Sequence, residues 1–307
     1  MTHVLAADIG GTKIAAALAH EKAGFTARTQ VESAAHDSEA LFESLLSAFS
    51  NVLDEADTPQ NDIQHIGIGV PGKVDPVKGL AVYQNNLSWR HFPLVSRLKE
   101  VFPKADIAIE NDVYMAAYGE WQARRLMQET FVYLTVSTGI SACIIHEGRF
   151  IRGAGMAGEI GFTVLNHEDE VKTLENLASG PAIEKEASRT FDNTALTTRQ
   201  VMDQYKNNDP RASAIIGNAA GHIARGLHQI ISVIDPHVIV LGGGVMNNQP
   251  QFVELVKEKM TPLIQNPIQN DALERIWPSH YKGDAGLQGA VWYTLRNNEK
   301  QDLIERQ

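Results

Sequence analysis

The segment Asp8-Ile-Gly-Gly-Thr-Lys13 brings a carboxylate, two glycines, a hydroxyl and an ammonium close together in sequence. Glycines in a tight turn expose backbone N–H groups and let a phosphate approach closely. Thr12 adds a hydroxyl donor and Lys13 a positive charge, while Asp8 ends an apolar run, where a carboxylate can hold a hydrated Mg2+. A Gly10-Gly11 turn is equally an ordinary hairpin with no ligand. Ser137-Thr138-Gly139 repeats the same grammar further along the chain. Two such turns facing each other across a cleft would hold the two ends of a triphosphate.

Acids stand at three further places. Glu110-Asn111-Asp112 follows the apolar run Ile107-Ala-Ile109 and precedes a helical pattern. One of Asn111 and Asp112 serves as the helix N-cap. The other stands at the carboxyl edge of a strand, where ligands gather in α/β sheets. An Asp there can accept the proton of a sugar hydroxyl attacking a γ-phosphate. Gly158-Glu159-Ile-Gly161 and Leu174-Glu175-Asn-Leu-Ala-Ser-Gly180 each place one acid in a glycine-containing, mildly apolar setting. A carboxylate accepts two sugar hydroxyls at once. The competing readings are a surface loop for the first and a helix start at Ser179-Gly180-Pro181 for the second.

Other patterns carry less. Gly67-Ile-Gly-Val-Pro-Gly72 matches G-x-G-x-x-G, but that fingerprint needs a helix to open at its last glycines, and Pro71 and Lys73-Val-Asp-Pro76 make a turn instead. A G-x-x-x-x-G-K-[ST] loop is absent. His167-Glu-Asp-Glu170 reads as a solvated loop, and His65, His91, His222 and His228 show no ligand spacing.

The elements that must position these residues alternate along the chain. Val4–Ile9 and Lys13–Leu18 read as a hairpin, and so do Phe131–Val136 and Ile140–Ile145. These look like the openings of two related halves. Leu41, Leu45, Phe49 and Leu53 have helical spacing. Ile66–Val70 and Ile107–Ile109 read as buried strands, Val113–Met127 as a helix, and Ser213–Ile234 as a long helix stopped by Asp235-Pro236. Alternation of this kind means α/β layers. The expected division is a small α/β domain over 1–117, completed by a C-terminal helix over 287–307, and a larger one over 118–286.

Composition sets bounds on this picture. With 307 residues, 43% apolar and 21% charged, the chain is long enough for two cores and ordinary for a globular protein. A net charge of −10 argues against a nucleic acid as partner. The single cysteine, Cys143, builds neither a disulfide framework nor a cysteine-based zinc site and fits a reducing cytosol. The first residues lack the pattern of a signal peptide, and no apolar run approaches the ~18 residues of a spanning helix. The expectation is a cytoplasmic protein with no membrane contact.

Taken together, these segments resemble the ROK family (repressors, open reading frames, kinases) of sugar kinases over nearly the whole chain. Asp8–Lys13 resembles its first phosphate motif and Ser137-Thr138-Gly139 its second. Gly69-Val-Pro-Gly72 and Asn86-Leu-Ser-Trp89 resemble its sugar-side loops, and Glu110-Asn-Asp112 with Ala116-Ala117 and Gly119-Glu120 its catalytic segment. Gly158–Gly161 and Leu174–Gly180 resemble its signature region, and Leu241-Gly242-Gly243-Gly244 its adenosine-side loop.

The resemblance implies a two-domain, actin-like ATPase (ribonuclease H-like) α/β fold with an interdomain cleft. It implies ATP-dependent phosphorylation of a hexose or N-acetylhexosamine, with ATP and Mg2+ as cofactors. Asp112 takes the role of general base. Gly72, Asn86, Asn111, Glu159 and Glu175 fall on the sugar. Gly10, Gly11, Thr12, Lys13, Thr138, Gly139, Gly243 and Gly244 fall on the nucleotide, with Asp8 on the metal side. A homodimer is the family's usual state.

There are departures. The family's histidine after Glu-x-Gly, which binds zinc and sugar, is Phe162 here, and Glu168 to Thr173 stand where its zinc cysteines would be. No structural zinc is expected, and glucose, N-acetylmannosamine, fructose and β-glucosides all stay open as substrates. A sugar-binding sensor without catalysis is the alternative from another class, although the base and both phosphate turns are kept. The family's repressors carry an N-terminal helix-turn-helix. A phosphate motif beginning at residue 8 leaves no room for one ahead of it, so no DNA binding is expected.

Overall fold

The structure is a computed structural model and describes residues 2–20, 24–166, 170–192 and 196–305. His167, Glu168 and Asp169, the first part of the charged run read as a solvated loop, lie outside the described residues, as do the last two residues of the expected C-terminal helix. The chain divides into two compact units, 1–124 with 284–307, and 125–283. Residues 118–124 and 284–286, expected with the second domain, fall in the first, because each belongs to or adjoins a helix packed there.

In the first unit β1 (His3–Ile9) and β2 (Lys13–His20) form a hairpin around Gly10-Gly11, with Ile9 opposite Ile14. β3 (Gly24–Glu32) extends it antiparallel. α1 (Ser38–Glu55) opens on Asp37, whose side chain accepts from Ala40 N–H, and buries Leu41, Leu45, Phe49 and Leu53, the stripe visible in the sequence. β4 (His65–Val70) runs parallel to β1. Gly67 and Gly69 lie inside it, so no helix opens at the end of this glycine run. The short strands β5 (Lys73–Asp75), β6 (Leu80–Tyr83) and β7 (Arg90–Phe92) make a separate small sheet. α2 (Leu94–Val101) leads into β8 (Asp106–Asn111), and α3 (Asp112–Ala123) follows it directly. α3 stops short of Met127, and Arg125 takes a left-handed φ of 53°. The sheet order is β3-β2-β1-β4-β8.

In the second unit β9 (Thr130–Val136), β10 (Ile140–His146) and β11 (Arg149–Phe150) are antiparallel neighbours. A ribbon of β12 (Val164–Asn166) and β13 (Lys172–Thr173) leads into α4 (Leu174–Ala178), α5 (Gly180–Thr190) and α6 (Thr198–Lys206). α7 (Pro210–Ile234) begins three residues before the expected Ser213, since Asp209 caps it and Pro suits its first turn. β14 (Val238–Gly242), α8 (Pro250–Met260) and β15 (Ile276–Pro278) complete the unit. The sheet order is β11-β10-β9-β14-β15, with β14 parallel to both β9 and β15. A hairpin followed by parallel strands thus recurs in both units, which is the duplication suggested by the two glycine turns.

α9 (Ala285–Glu305) returns to the first unit. It packs through Leu287, Ala290 and Val291 on a face of the sheet made small by Ala6, Ala17 and Ala19. Gly67 is glycine because its Cβ would run into Ala290 O and Thr294 Oγ1. Among the described residues no helix is long and apolar enough to cross a membrane.

Candidate active site

The chemistry-bearing residues of the first unit gather at the carboxyl ends of β1, β4 and β8. The Gly10 N–H donates to Lys13 O at 2.8 Å, which closes the turn and leaves Gly11 and Thr12 exposed on its outside. Lys13 Nζ donates to Gln30 Oε1 at 3.3 Å, so its charge leans toward β3 rather than over the turn. Asn86 lies against the same turn, with its Cβ 3.6 Å from where a Gly11 Cβ would be.

Asn111 is the N-cap and Asp112 the first helical residue, which resolves the choice the sequence left open. Asn111 Oδ1 accepts from Val113 N (3.0 Å) and Tyr114 N (3.2 Å), and its Nδ2 donates to Gly72 O at 2.9 Å. Asn111 therefore braces the Gly72 turn, where φ is 78°, against the start of α3. Asp112 Oδ1 accepts from Val113 N at 3.0 Å, which places its carboxylate at a helix N-terminus. Asp8 stands close by. A Cβ at Gly69 would lie 3.2 Å from Asp8 Oδ1 and 3.4 Å from Asp112 Cα, so glycine there admits both acids. Burial first, and then the Asp112 charge, push the Asp8 carboxyl up to about 7.

The second unit brings Glu159 and Glu175 together. Glu175 lies in the first turn of α4, and its Oε2 accepts from Ile140 N at 2.9 Å. That oxygen would be 2.6 Å from a Cβ at Gly139 and 3.4 Å from one at Gly161. Glu159 opens the 3-10 turn Ile160–Phe162. Burial, and secondarily the Glu175 charge, hold its carboxyl above the ordinary value, against a hydrogen bond from Ser141 that lowers it. Gly158 has φ of 91° and presses on the Ala142 backbone, which is why glycines flank this acid. The described ends of the segment from Phe162 to Glu175, 162–166 and 170–175, are held by strand pairing, a main-chain bond and a helix cap. Val164 pairs with Thr173, Leu174 N donates to Thr163 O at 2.9 Å, and Thr173 forms a capping box with Asn176. Phe162 is 57% exposed on this stretch.

A cavity of about 590 Å3 opens beside the second turn. Ser137, Thr138 and Gly244 line it, with Val245 and Asn247 to Gln249 from the loop after β14. Its other wall is α6, through Thr198, Arg199, Met202, Asp203 and Lys206. Gly139 and Gly243 do not line it. Gly139 faces Glu175, and Gly243, with φ of 91°, lets the loop turn back so that Val245 N donates to Val136 O at 3.0 Å. The wall of α6 was not read from the sequence. Its one signal is the spacing of Arg199, Met202, Asp203 and Lys206 on a single helix face.

The cavity of the second unit fits a nucleotide. The cavity offers hydroxyls, amides and two cationic side chains, and it adjoins a glycine turn. Asp8, with its proton affinity raised beside Asp112, suits a divalent cation that would displace that proton. Among the described residues no group of three or more His, Cys, Asp and Glu side chains is placed to hold a metal ion by itself. Arg199→Ala is expected to raise the nucleotide KM about tenfold and leave the KM of the second substrate unchanged, as measured by steady-state kinetics.

The ROK family model matches residues 4–297. The N-acetylmannosamine kinase of Escherichia coli O139:H28 is 31% identical over 94% of this chain and 96% of its own. A glucokinase of Halalkalibacterium halodurans is 25% identical over 93% of this chain and 92% of its own. The crystal structure of a ROK hexokinase from Thermus thermophilus superposes with a TM-score of 0.78 at 29% identity, covering 97% of this chain and 100% of that one. The fold is the actin-like ATPase fold.

Proposed function

The chain belongs to the ROK family and is a sugar kinase, and from that premise we propose that it transfers the γ-phosphoryl group of ATP to a hydroxyl of a hexose or an N-acetylhexosamine. The observation that carries this reading is the position of Asp112. It is an acid at the first residue of α3, at the carboxyl edge of β8, beside Gly69 of β4 and the second acid Asp8. Asp112 accepts the proton of the attacking hydroxyl, so that the oxygen is nucleophilic as it meets phosphorus. Glu159 and Glu175 accept hydrogen bonds from other sugar hydroxyls and fix which one reacts. Gly72, Asn86 and Asn111 shape the sugar side of the first unit. Gly10 to Thr12, with Thr138 and Gly139, receive phosphates, while Gly243 and Gly244 shape the nucleoside side. Mg2+, held on the Asp8 side, would neutralise charge on the phosphates. Lys13, drawn to Gln30, contributes its charge at longer range.

ADP formation with a panel of sugars tests this reading. The expected result is turnover with at least one hexose or N-acetylhexosamine. Sugar binding by calorimetry without ADP formation from any sugar would identify a sensor instead.

Within the panel, N-acetylmannosamine, glucose, fructose and β-glucosides are the substrates to compare. Phe162 stands exposed one turn from Glu159, where it meets the sugar as an apolar group. Phe162→His is expected to change the ratio of kcat/KM values for glucose and N-acetylmannosamine about tenfold. An unchanged ratio would remove Phe162 from the site. We further propose a cytosolic homodimer, in which the buried thiol of Cys143 stays reduced. Sedimentation velocity gives the oligomeric state.

A further inference from the structure

Gly286 lies buried in the first turn of α9, and it meets Asp8. A Cβ there would lie 2.6 Å from the Asp8 carboxyl carbon and 3.1 Å from Oδ1, with Oδ2 closer still. The carboxylate therefore rests directly against the backbone of the first turn of α9.

The position of α9 is itself set by glycines. A Cβ at Gly119 of α3 would lie 2.8 Å from both Ala285 O and Gly289 N, and one at Gly289 would collide with Met115 O. The two helices cross at backbone distance. One begins at Asp112 and the other at Ala285, next to Gly286. With α9 held on α3, a methyl at position 286 presses on the Asp8 carboxylate and displaces it from its place beside Asp112.

We propose that Gly286 is a positioning residue: by having no side chain it lets the first turn of α9 hold the Asp8 carboxylate in register with Asp112. Its kinetic consequence rests on the phosphoryl-transfer reading above, whereas the contact itself does not. Gly286 acts through Asp8, so its effect disappears when Asp8 has no carboxylate.

The test is a double-mutant cycle on the full chain with Gly286→Ala, Asp8→Ala and the double variant, read by thermal unfolding and by kinetics. Gly286→Ala is expected to lower Tm and to reduce kcat about 30-fold, with the sugar KM changed by less than about threefold. In the Asp8→Ala background the same substitution is expected to leave both Tm and residual rate unchanged. If Gly286→Ala alone fails to fold, soluble double variant supports the contact, and a double variant that also fails overturns it. An equal loss of Tm in both backgrounds overturns the proposal, because Gly286 is then only a helix-packing glycine. Coupled Tm values with unchanged kcat overturn the positioning role. Coupled Tm values in a protein that phosphorylates no sugar leave the contact standing and count against the kinase reading instead.

Discussion

Asp112→Asn is expected to lower kcat by about three orders of magnitude while sugar affinity stays within about threefold of the wild type. The substitution is nearly isosteric. Asn keeps an oxygen for the Val113 N–H that Asp112 Oδ1 now accepts at 3.0 Å, so the start of α3 is preserved. It also leaves the N-cap untouched, because the cap is Asn111. What it removes is a group able to take a proton. The hydroxyl then attacks as a neutral nucleophile, and the loss falls on the chemical step rather than on binding. Initial rates with saturating sugar and ATP, together with calorimetric titration of the sugar, separate the two. A variant with near-normal kcat would sink the assignment of Asp112 as base.

Asp8→Asn is expected to move activity and stability in opposite directions. Turnover should fall by two orders of magnitude or more, on the order of losses seen when an electrostatic group of a reaction centre is removed. Stability should rise at alkaline pH. Burial and the Asp112 charge raise the Asp8 carboxyl from 3.8 to about 7. Between those values the folded chain holds a proton that the unfolded chain has released, so stability falls as pH rises through this window. The favourable contribution is complete below the unfolded value and is lost once pH passes about 7. At pH 8 the wild type keeps an ionised carboxylate beside Asp112, whereas the amide has no charge to repel. The variant should therefore melt ~4 °C or more above the wild type at pH 8. At pH 5 the gain should be smaller, since only the first part of the window from 3.8 to about 7 has then been crossed. An equal gain at both pH values, or none at pH 8, would show that Asp8 is not held in the raised state.

These two variants are linked. Removing the Asp112 charge takes away one of the two causes of the raised Asp8 value, so Asp112→Asn should flatten the pH dependence of stability that Asp8 imposes. The acid pair of the second unit behaves by the same rule. Glu159 is raised by burial and by Glu175, so it loses its acceptor character at a higher pH than an ordinary glutamate does.

Much of the framework was legible in the residues. The hairpin turns at Gly10-Gly11 and Ser137–Gly139, the stripe of α1, the stop of α7 at Asp235-Pro236 and the start of α5 at Ser179-Gly180-Pro181 are all present where the pattern put them. The choice between Asn111 and Asp112 as N-cap was not legible, because both residue types cap helices equally well. The α6 wall of the cavity was not legible either. A stripe of Arg199, Met202, Asp203 and Lys206 is the composition of any surface helix, and only the loop after β14 turns it into the side of a pocket.

By itself the sequence determined the turn chemistry, the caps and the alternation of strand and helix, since each depends on residues within a few positions of one another. It also carried the acids and glycines of the site, as types and spacings. Only the tertiary structure decided what those groups do to each other. Glu159 and Glu175 became a pair because Gly158 and Gly161 let one segment lie flat on β10. Asn111 became a brace because its amide reaches Gly72 O. Asp8 acquired its raised proton affinity from burial and from Asp112, a residue remote in sequence, and a helix from the far end of the chain lies against it at Gly286. Desolvation and charge coupling act through space over a few ångströms, and no local pattern in the chain records which distant residues will share that space.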